Sequence, residues 1–166
     1  MIKFLRTNRV ASGILAVLRI YLGVMWTMSG YSKMASGNFN PKGMFMGTLS
    51  HPVVGPTGDT VYPWFNDMIK NFFMPHANAM GFMVSWGELL VGLGLIFGCL
   101  TTAAAFFGML MNFTYLLSGS VSVNPTFILI EFIILAAGFN AGKIGLDRWV
   151  IPYLREKIPF LKRSVQ

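Results

Sequence analysis

The stretch RIYLGVMWTMSGYSK, residues 19–33, places a fixed positive charge inside a long apolar segment. Its small, aromatic and basic residues recur at helical spacing, so they share one stripe of a helix. The stripe consists of Arg19, Gly23, Trp26, Gly30 and Lys33. An arginine stays protonated, and at bilayer depth it is costly unless it meets an acid, backbone carbonyls or water. The partner of Arg19 is therefore expected to organise the fold.

The composition is that of an integral membrane protein in a lipid bilayer. Of the 166 residues, 54% are hydrophobic and 11% are charged, whereas a soluble domain carries about a quarter charged residues. The net charge of +7 comes mostly from the chain ends, beside apolar segments. This placement indicates contact with a membrane surface and not with nucleic acid. The single cysteine, Cys99, excludes an intramolecular disulfide and a cysteine metal cluster within one chain.

Four apolar segments are long enough to cross about 30 Å of hydrocarbon. They are predicted at residues 11–34, 78–99, 101–117 and 125–141. The sequence therefore predicts an all-α membrane protein, an antiparallel bundle of four transmembrane helices. The first segment is interpreted as a retained span, since no small-x-small cleavage site follows it.

The distribution of lysine and arginine predicts the orientation. Of the 13 such residues, nine lie near the two chain ends, three lie on the opposite side, and Arg19 lies within the first span. By the positive-inside rule, both termini are expected in the cytoplasm of a multi-pass protein of the plasma membrane. Residues 1–147 then form the membrane domain, and residues 148–166 form a basic tail. The tail is predicted to be an interfacial helix broken by Pro152 and Pro159.

The outer loop, residues 35–77, divides into two parts. The first part, around residues 51–59, is rich in Gly and Pro and is predicted to be irregular. The second part, YPWFNDMIKNFFMPH (residues 62–76), has aromatic and aliphatic residues at helical spacing. It predicts an amphipathic helix, which either rests in the membrane interface or closes the mouth of the bundle.

Two acids, Glu88 and Glu131, lie within the predicted second and fourth spans. Counting 1.5 Å per residue from the helix ends places Arg19 and Glu88 at nearly the same depth. An ion pair between Arg19 and Glu88 is therefore predicted, because either charge alone in hydrocarbon is costly. One arginine facing two carboxyls leaves at least one of them either titratable or in contact with water, and a titratable group inside the helices is what proton-coupled chemistry requires.

Other polar residues of the spans allow two interpretations. Asn112 and Tyr115 share a face of the third span, where they either pack helices together or line a site. The Gly-x-x-x-Gly spacings at residues 94–98 and 138–142 favour close helix packing and would permit a homo-oligomer. His76 lies in the outer loop near the second span, where it could bind an anion.

Three segments resemble the DoxX-like superfamily of small four-helix bacterial membrane proteins. They are RIYLGVMWTMSGYSK, WGELLVGLGLIFGCLTT and NAGKIGLDRW. The long loop after the first span makes the chain most similar to the DoxD branch, which is related to the small subunit of thiosulfate:quinone oxidoreductase. The residues that carry the resemblance are Arg19, Gly23, Gly30, Lys33, Glu88, Gly92, Gly98, Gly142, Gly145 and Asp147.

The resemblance implies electron transfer from small sulfur compounds into the quinone pool. The leading hypothesis is a quinone-linked oxidoreductase subunit that uses menaquinone or ubiquinone and oxidises thiosulfate or a similar compound. A haem, flavin or metal is not predicted, since no motif for one is present, so a second redox subunit is a candidate partner. The alternatives are a non-enzymatic scaffold or accessory subunit and a small-molecule transporter.

The residues expected at the site have separate roles. Arg19, Glu88 and Glu131 are the predicted catalytic residues. The predicted substrate-binding residues, which include the walls of the quinone site and the cations that attract an anionic substrate, are Trp26, Lys33, His76, Asn112 and Tyr115.

Overall fold

The computed structural model describes residues 2–37 and 39–158, and these residues are mainly helical. Within them, β-structure is limited to an isolated antiparallel bridge between Val54 and Thr60. The helices in chain order are α1 (Ile2–Thr7), α2 (Arg9–Ala35), α3 (Lys42–Ser50), α4 (Pro63–Met68), α5 (Ala77–Phe97), α6 (Thr101–Leu117), α7 (Asn124–Ala137), α8 (Phe139–Gly142) and α9 (Asp147–Lys157). We call the end of the molecule that contains α1 and α9 the inner end, and the opposite end the outer end.

All four predicted apolar segments are helical, and α6 covers the residues predicted for it. Only α2 and α5 are long and apolar enough to cross a membrane by length alone, while α6 and α7 are shorter apolar helices. The fourth segment was predicted as one helix but is interrupted at Gly138, whose φ of 59° ends α7 before α8 begins. Such a left-handed conformation is readily available to glycine.

Glycines bring the backbones of α2 and α5 into contact. A Cβ atom on Gly23 would lie 2.8 Å from the carbonyl oxygen of Gly92, and one on Gly30 would lie 2.6 Å from the nitrogen of Leu89. Larger side chains at these positions would force the helices apart. The contacts fix the register of the pair and place Arg19 beside the last turn of α5.

Residues 39–76 form the outer cap, which covers the outer end of the helices. The predicted amphipathic helix is present as α4, followed by a π-helical turn at Ile69–Phe73. Helix α3 was not predicted. It contributes Phe45 to an apolar cluster with Phe65, Ile69 and Ala77, the first residue of α5. The cap is thereby packed onto the start of α5.

The tail differs from its prediction at one residue. Pro152 lies inside α9, which continues to Lys157, so the predicted break at Pro152 is wrong. Proline has no backbone N–H, so the helix lacks one backbone hydrogen bond at this position, and it continues into the next turn. The other predicted break, at Pro159, lies outside the described residues.

Candidate functional site

Arg19 binds helix-terminal carbonyl groups and does not pair with Glu88. Its side chain is buried, and its guanidinium donates to the carbonyl oxygens of Leu95 (2.5 Å), Ile96 (3.1 Å) and Ile144 (2.7 Å). Leu95 and Ile96 belong to the last turn of α5, where carbonyls lack partners within the helix. The predicted ion pair is wrong because the register of α2 and α5 places Arg19 nearer the inner end than Glu88.

Asp147 complements Arg19 at the same turn. Its carboxylate accepts hydrogen bonds from the backbone nitrogens of Leu100 (2.6 Å) and Thr101 (2.9 Å), at the start of α6. Its own nitrogen donates to the carbonyl oxygen of Gly98 at 2.7 Å. Arg19 therefore binds the end of α5, and Asp147 binds the beginning of α6.

Two glycines leave room for these side chains. Gly98 has a φ of 63°, and a Cβ there would strike the guanidinium of Arg19. A Cβ on Gly142 would strike the carboxylate of Asp147. We call Arg19, Gly98, Gly142 and Asp147 the inner clamp, since together they fix the turn between α5 and α6.

Glu88 forms a different ion pair, with Lys33. The distance between Lys33 Nζ and Glu88 Oε2 is 2.6 Å, and among residues 2–37 and 39–158 this is the only ion pair. The second carboxylate oxygen of Glu88 accepts a hydrogen bond from the hydroxyl of Tyr115 at 2.6 Å. Lys33 also donates to Ser29 Oγ at 2.8 Å. Groups from α2, α5 and α6 thus form one continuous hydrogen-bonded chain.

Glu131 is completely buried and is held by neutral donors. Its carboxyl oxygens accept hydrogen bonds from Trp26 Nε1 at 3.0 Å and from Asn112 Nδ2 at 2.8 Å. The other polar atom of the Asn112 side chain, Oδ1, is buried and has no hydrogen-bond partner in the described part of the chain. A buried acceptor of this kind is costly unless a ligand or water satisfies it.

A cavity of about 390 Å³ connects these groups near the outer end. It lies between α2, α6, α7 and the outer cap, with Glu88 reaching it from α5. Its apolar walls include Trp26, Phe39, Met44 and Phe127. Its polar groups include Lys33, Glu88, Asn112 and Tyr115. The cavity therefore combines flat apolar walls with a few converging donors and acceptors, as small-molecule sites do.

The structure brings together six of the predicted site residues, five of which line the cavity, and separates Arg19 and His76 from them. Those that line the cavity are Trp26, Lys33, Glu88, Asn112 and Tyr115. Glu131 lies behind Trp26 and Asn112, whose side chains it positions. Arg19 belongs to the inner clamp. His76 is exposed before the first residue of α5, where its Nδ1 lies 2.8 Å from the carbonyl oxygen of Phe72.

Several cavity residues were not predicted. Ser29 lies three residues after Trp26 and four residues before Lys33, so it shares their stripe of the helix. This spacing could have identified it. Phe39 and Met44 could not be found in this way, because they belong to the outer cap. The position of a long connection over the bundle is determined by tertiary packing and not by local periodicity.

The arrangement can bind a small molecule that carries polar oxygens on a flat apolar ring. Lys33 keeps one N–H beyond those donated to Ser29 and Glu88, the carboxylate of Glu88 and the phenol oxygen of Tyr115 can accept, and aromatic side chains form part of the walls. Since the phenol, carboxylate and ammonium groups share hydrogen bonds, a proton can pass along them. In the part of the chain that the structure describes, no group of three or more His, Cys, Asp or Glu residues could hold a metal ion.

Comparisons with known proteins identify a family. The DoxX family model matches residues 14–119, which is more than half of the 166-residue chain. The match covers most of α2 and all of α5 and α6, which carry Lys33, Glu88 and Tyr115. Comparisons with curated proteins and with solved structures found no significant match.

Proposed function

Because the chain belongs to the DoxX family, we propose that its cavity binds the head group of a membrane quinone. The chain would then be the membrane subunit of a quinone-linked oxidoreductase of the DoxD branch. The observation that carries this proposal is the cavity itself, which is lined by the polar side chains of Tyr115, Glu88 and Asn112 and by aromatic walls. Its volume of about 390 Å³ falls within the usual range of small-molecule sites.

The proposal includes four membrane spans. Helix α6 has 17 residues, about 25 Å at 1.5 Å per residue, and the short α8 extends α7 toward the inner end. The excess of lysine and arginine at the chain ends favours cytoplasmic termini in the bacterial plasma membrane. In this orientation the outer cap and the mouth of the cavity face the outside.

The polar groups of the cavity suit both redox states of a quinone. The carbonyl oxygens of the oxidised form accept hydrogen bonds, and Lys33 can donate one through the N–H that it does not give to Ser29 or Glu88. Reduction adds two electrons and two protons and converts these oxygens to hydroxyls, which need acceptors. The carboxylate of Glu88 and the phenol oxygen of Tyr115 supply such acceptors. We assign menaquinone or ubiquinone as the natural ligand.

The proposed electron donor is thiosulfate or a related sulfur anion. Two thiosulfate anions join through a new S–S bond to form tetrathionate and release two electrons, which the quinone takes up with two protons from water. This assignment follows from the resemblance to the DoxD branch, since the charge of Lys33 is compensated by Glu88. A second redox subunit would carry the electrons from the donor to the quinone.

The binding proposal is tested by measuring quinone in protein purified in a mild detergent. Organic extracts of the wild type are expected to contain about one quinone per chain. Tyr115→Phe removes a single hydroxyl group from the cavity and should lower the quinone content severalfold, since one hydrogen bond contributes about 1 kcal/mol. Tyr31→Phe makes the same change on the exposed surface of α2 and should have no effect.

Extracts that contain only phospholipid in all three proteins would contradict the proposal. That result would favour the alternative in which the chain is an accessory subunit that holds a redox enzyme at the membrane. The donor is tested separately, by adding thiosulfate to membrane vesicles with and without the protein. Thiosulfate-dependent reduction of quinone should require the chain, whereas uptake of thiosulfate without any redox change would indicate a transporter.

A further inference from the structure

A second cavity, of about 500 Å³, opens at the inner end of the molecule. Three cations from separate elements line it, namely Arg9 at the start of α2, Lys143 after α8 and Arg148 in α9. Their positive charges are not neutralised by the described part of the chain, in which Lys33 and Glu88 form the only ion pair. Three uncompensated cations around one cavity predict an anionic ligand.

The walls of this inner cavity are fixed by buried hydrogen bonds. Ser12 Oγ donates to the carbonyl oxygen of Asn140 at 3.0 Å, which ties α2 to α8. Arg19 donates to the carbonyl oxygen of Ile144 at 2.7 Å, which holds the segment that carries Lys143. The cations therefore project from a preformed frame, so a ligand does not have to order the backbone that carries them.

The surroundings of the inner cavity are apolar and exposed. Ile144, which lines it, is 53% exposed, and Trp149 and Tyr153 on α9 are each 60% exposed. The guanidinium of Arg148 lies 4.4 Å from the centre of the Trp149 ring. Aromatic residues beside cations are typical of the boundary between lipid head groups and hydrocarbon. A ligand at this position would contact both charge and apolar surface.

We propose that the inner cavity binds an anionic phospholipid, with the phosphate among Arg9, Lys143 and Arg148 and the acyl chains along the apolar surface. A free phosphate ion would satisfy the same cations but would leave that surface without a partner. The proposal requires that the inner end lies at a membrane surface, but it does not depend on quinone binding.

The experiment compares two double variants that lose the same charge. Lys143→Gln with Arg148→Gln removes two cations of the inner cavity, whereas Lys3→Gln with Lys157→Gln removes two exposed cations at the same end of the molecule that do not line it. Native mass spectrometry in detergent would measure binding of dioleoyl phosphatidylglycerol and dioleoyl phosphatidylcholine. Inorganic phosphate would serve as the soluble competitor, and thermal unfolding would show that both variants are folded.

The wild type should bind phosphatidylglycerol in preference to phosphatidylcholine. The cavity variant should lose affinity for it roughly fivefold for each cation removed, and the control should keep the wild-type affinity. Equal losses in the two variants would overturn the proposal, because the attraction would then be non-specific. Displacement of the lipid by inorganic phosphate at similar concentration would also overturn it and identify a site for a soluble anion.

Discussion

At the level of single residues, the proposed quinone site depends on how Glu88 is kept in a buried position. Its carboxylate is 1% exposed, and it is compensated by Lys33 and by the hydroxyl of Tyr115. Burial of the carboxylate without these partners would lower the stability of the fold. The same three groups line the cavity, so the interactions that stabilise Glu88 also place a proton donor and an acceptor beside the proposed quinone.

The coupling of Lys33 and Glu88 can be measured with a double-mutant cycle. Lys33→Met leaves the carboxylate buried without its cation and should lower the free energy of unfolding by about 3 kcal/mol. Lys33→Met combined with Glu88→Gln should recover most of this loss, which gives a coupling of about 1–3 kcal/mol. Unfolding in sodium dodecyl sulfate would supply the values. Simple additivity of the two substitutions would contradict the pairing.

The role of Glu131 in positioning the Trp26 wall can be tested without changing any charge. A Cβ on Gly108 would lie 2.6 Å from Glu131 Oε1 and 3.3 Å from Trp26 Nε1. Gly108→Ala should therefore displace the carboxyl and the Trp26 wall, and it should lower quinone affinity by roughly fivefold for one lost hydrogen bond. The control is Gly13→Ala, whose Cβ would meet nothing within 4 Å. If both variants bind quinone like the wild type, Glu131 does not position the wall.

At the scale of the helices, the inner clamp determines how α5 turns into α6. The turn contains Leu100 with a φ of 51°, a conformation that costs a leucine about 1–2 kcal/mol. Asp147 offsets this cost by accepting from both nitrogens at the start of α6. The acidic group at a helix N-terminus is also favoured by the helix dipole. We therefore assign the inner clamp, which includes Arg19, a role in the stability of the fold.

Asp147→Asn tests this assignment. One oxygen becomes an amide donor that faces a backbone N–H, so the free energy of unfolding should fall by about 2 kcal/mol. Asp67→Asn makes the same change on the exposed side of the outer cap and should be close to neutral. Quinone content per folded chain should stay at the wild-type level, because Asp147 lies outside the outer cavity. A loss of quinone without a loss of stability would mean that the clamp takes part in binding.

The helices were predicted well from the sequence, because long runs of apolar residues are typical of helices that are buried in lipid or in a protein core. The sequence also selected Lys33, Glu88 and Tyr115, since polar residues inside apolar helices stand out. It misplaced Arg19, because counting residues from helix ends ignores the register that glycine contacts impose on α2 and α5. Arginine also has a range of partners, and carbonyls at a helix end satisfy it as well as an acid does.

At the scale of the whole molecule, the two cavities lie at opposite ends of the helices. The outer cavity is lined by the outer cap and contains the ion pair, whereas the inner cavity is lined by cations and lies beside α9. In the proposed orientation, an anionic substrate approaches from outside and anionic lipids bind from the cytoplasmic leaflet. The excess of basic residues at the inner end is consistent with the binding of anionic lipids.

The orientation predicts which residues a membrane-impermeant maleimide can reach. In a Cys99→Ala background, Asp59→Cys in the outer cap should be labelled in intact cells. Lys157→Cys at the end of α9 should be labelled only after the cells are lysed. Labelling of Lys157→Cys in intact cells would contradict the proposed placement of the termini and of the inner cavity.

Photoaffinity labelling with an azido-quinone would test whether a quinone occupies the outer cavity, as proposed. Peptide mapping should find the label near Trp26 and Lys33 in α2 and near Tyr115 in α6. An excess of unmodified quinone should prevent this labelling, and Tyr115→Phe should weaken it. Labelling confined to exposed apolar residues such as Phe106 and Leu129, unaffected by competing quinone, would contradict the claim.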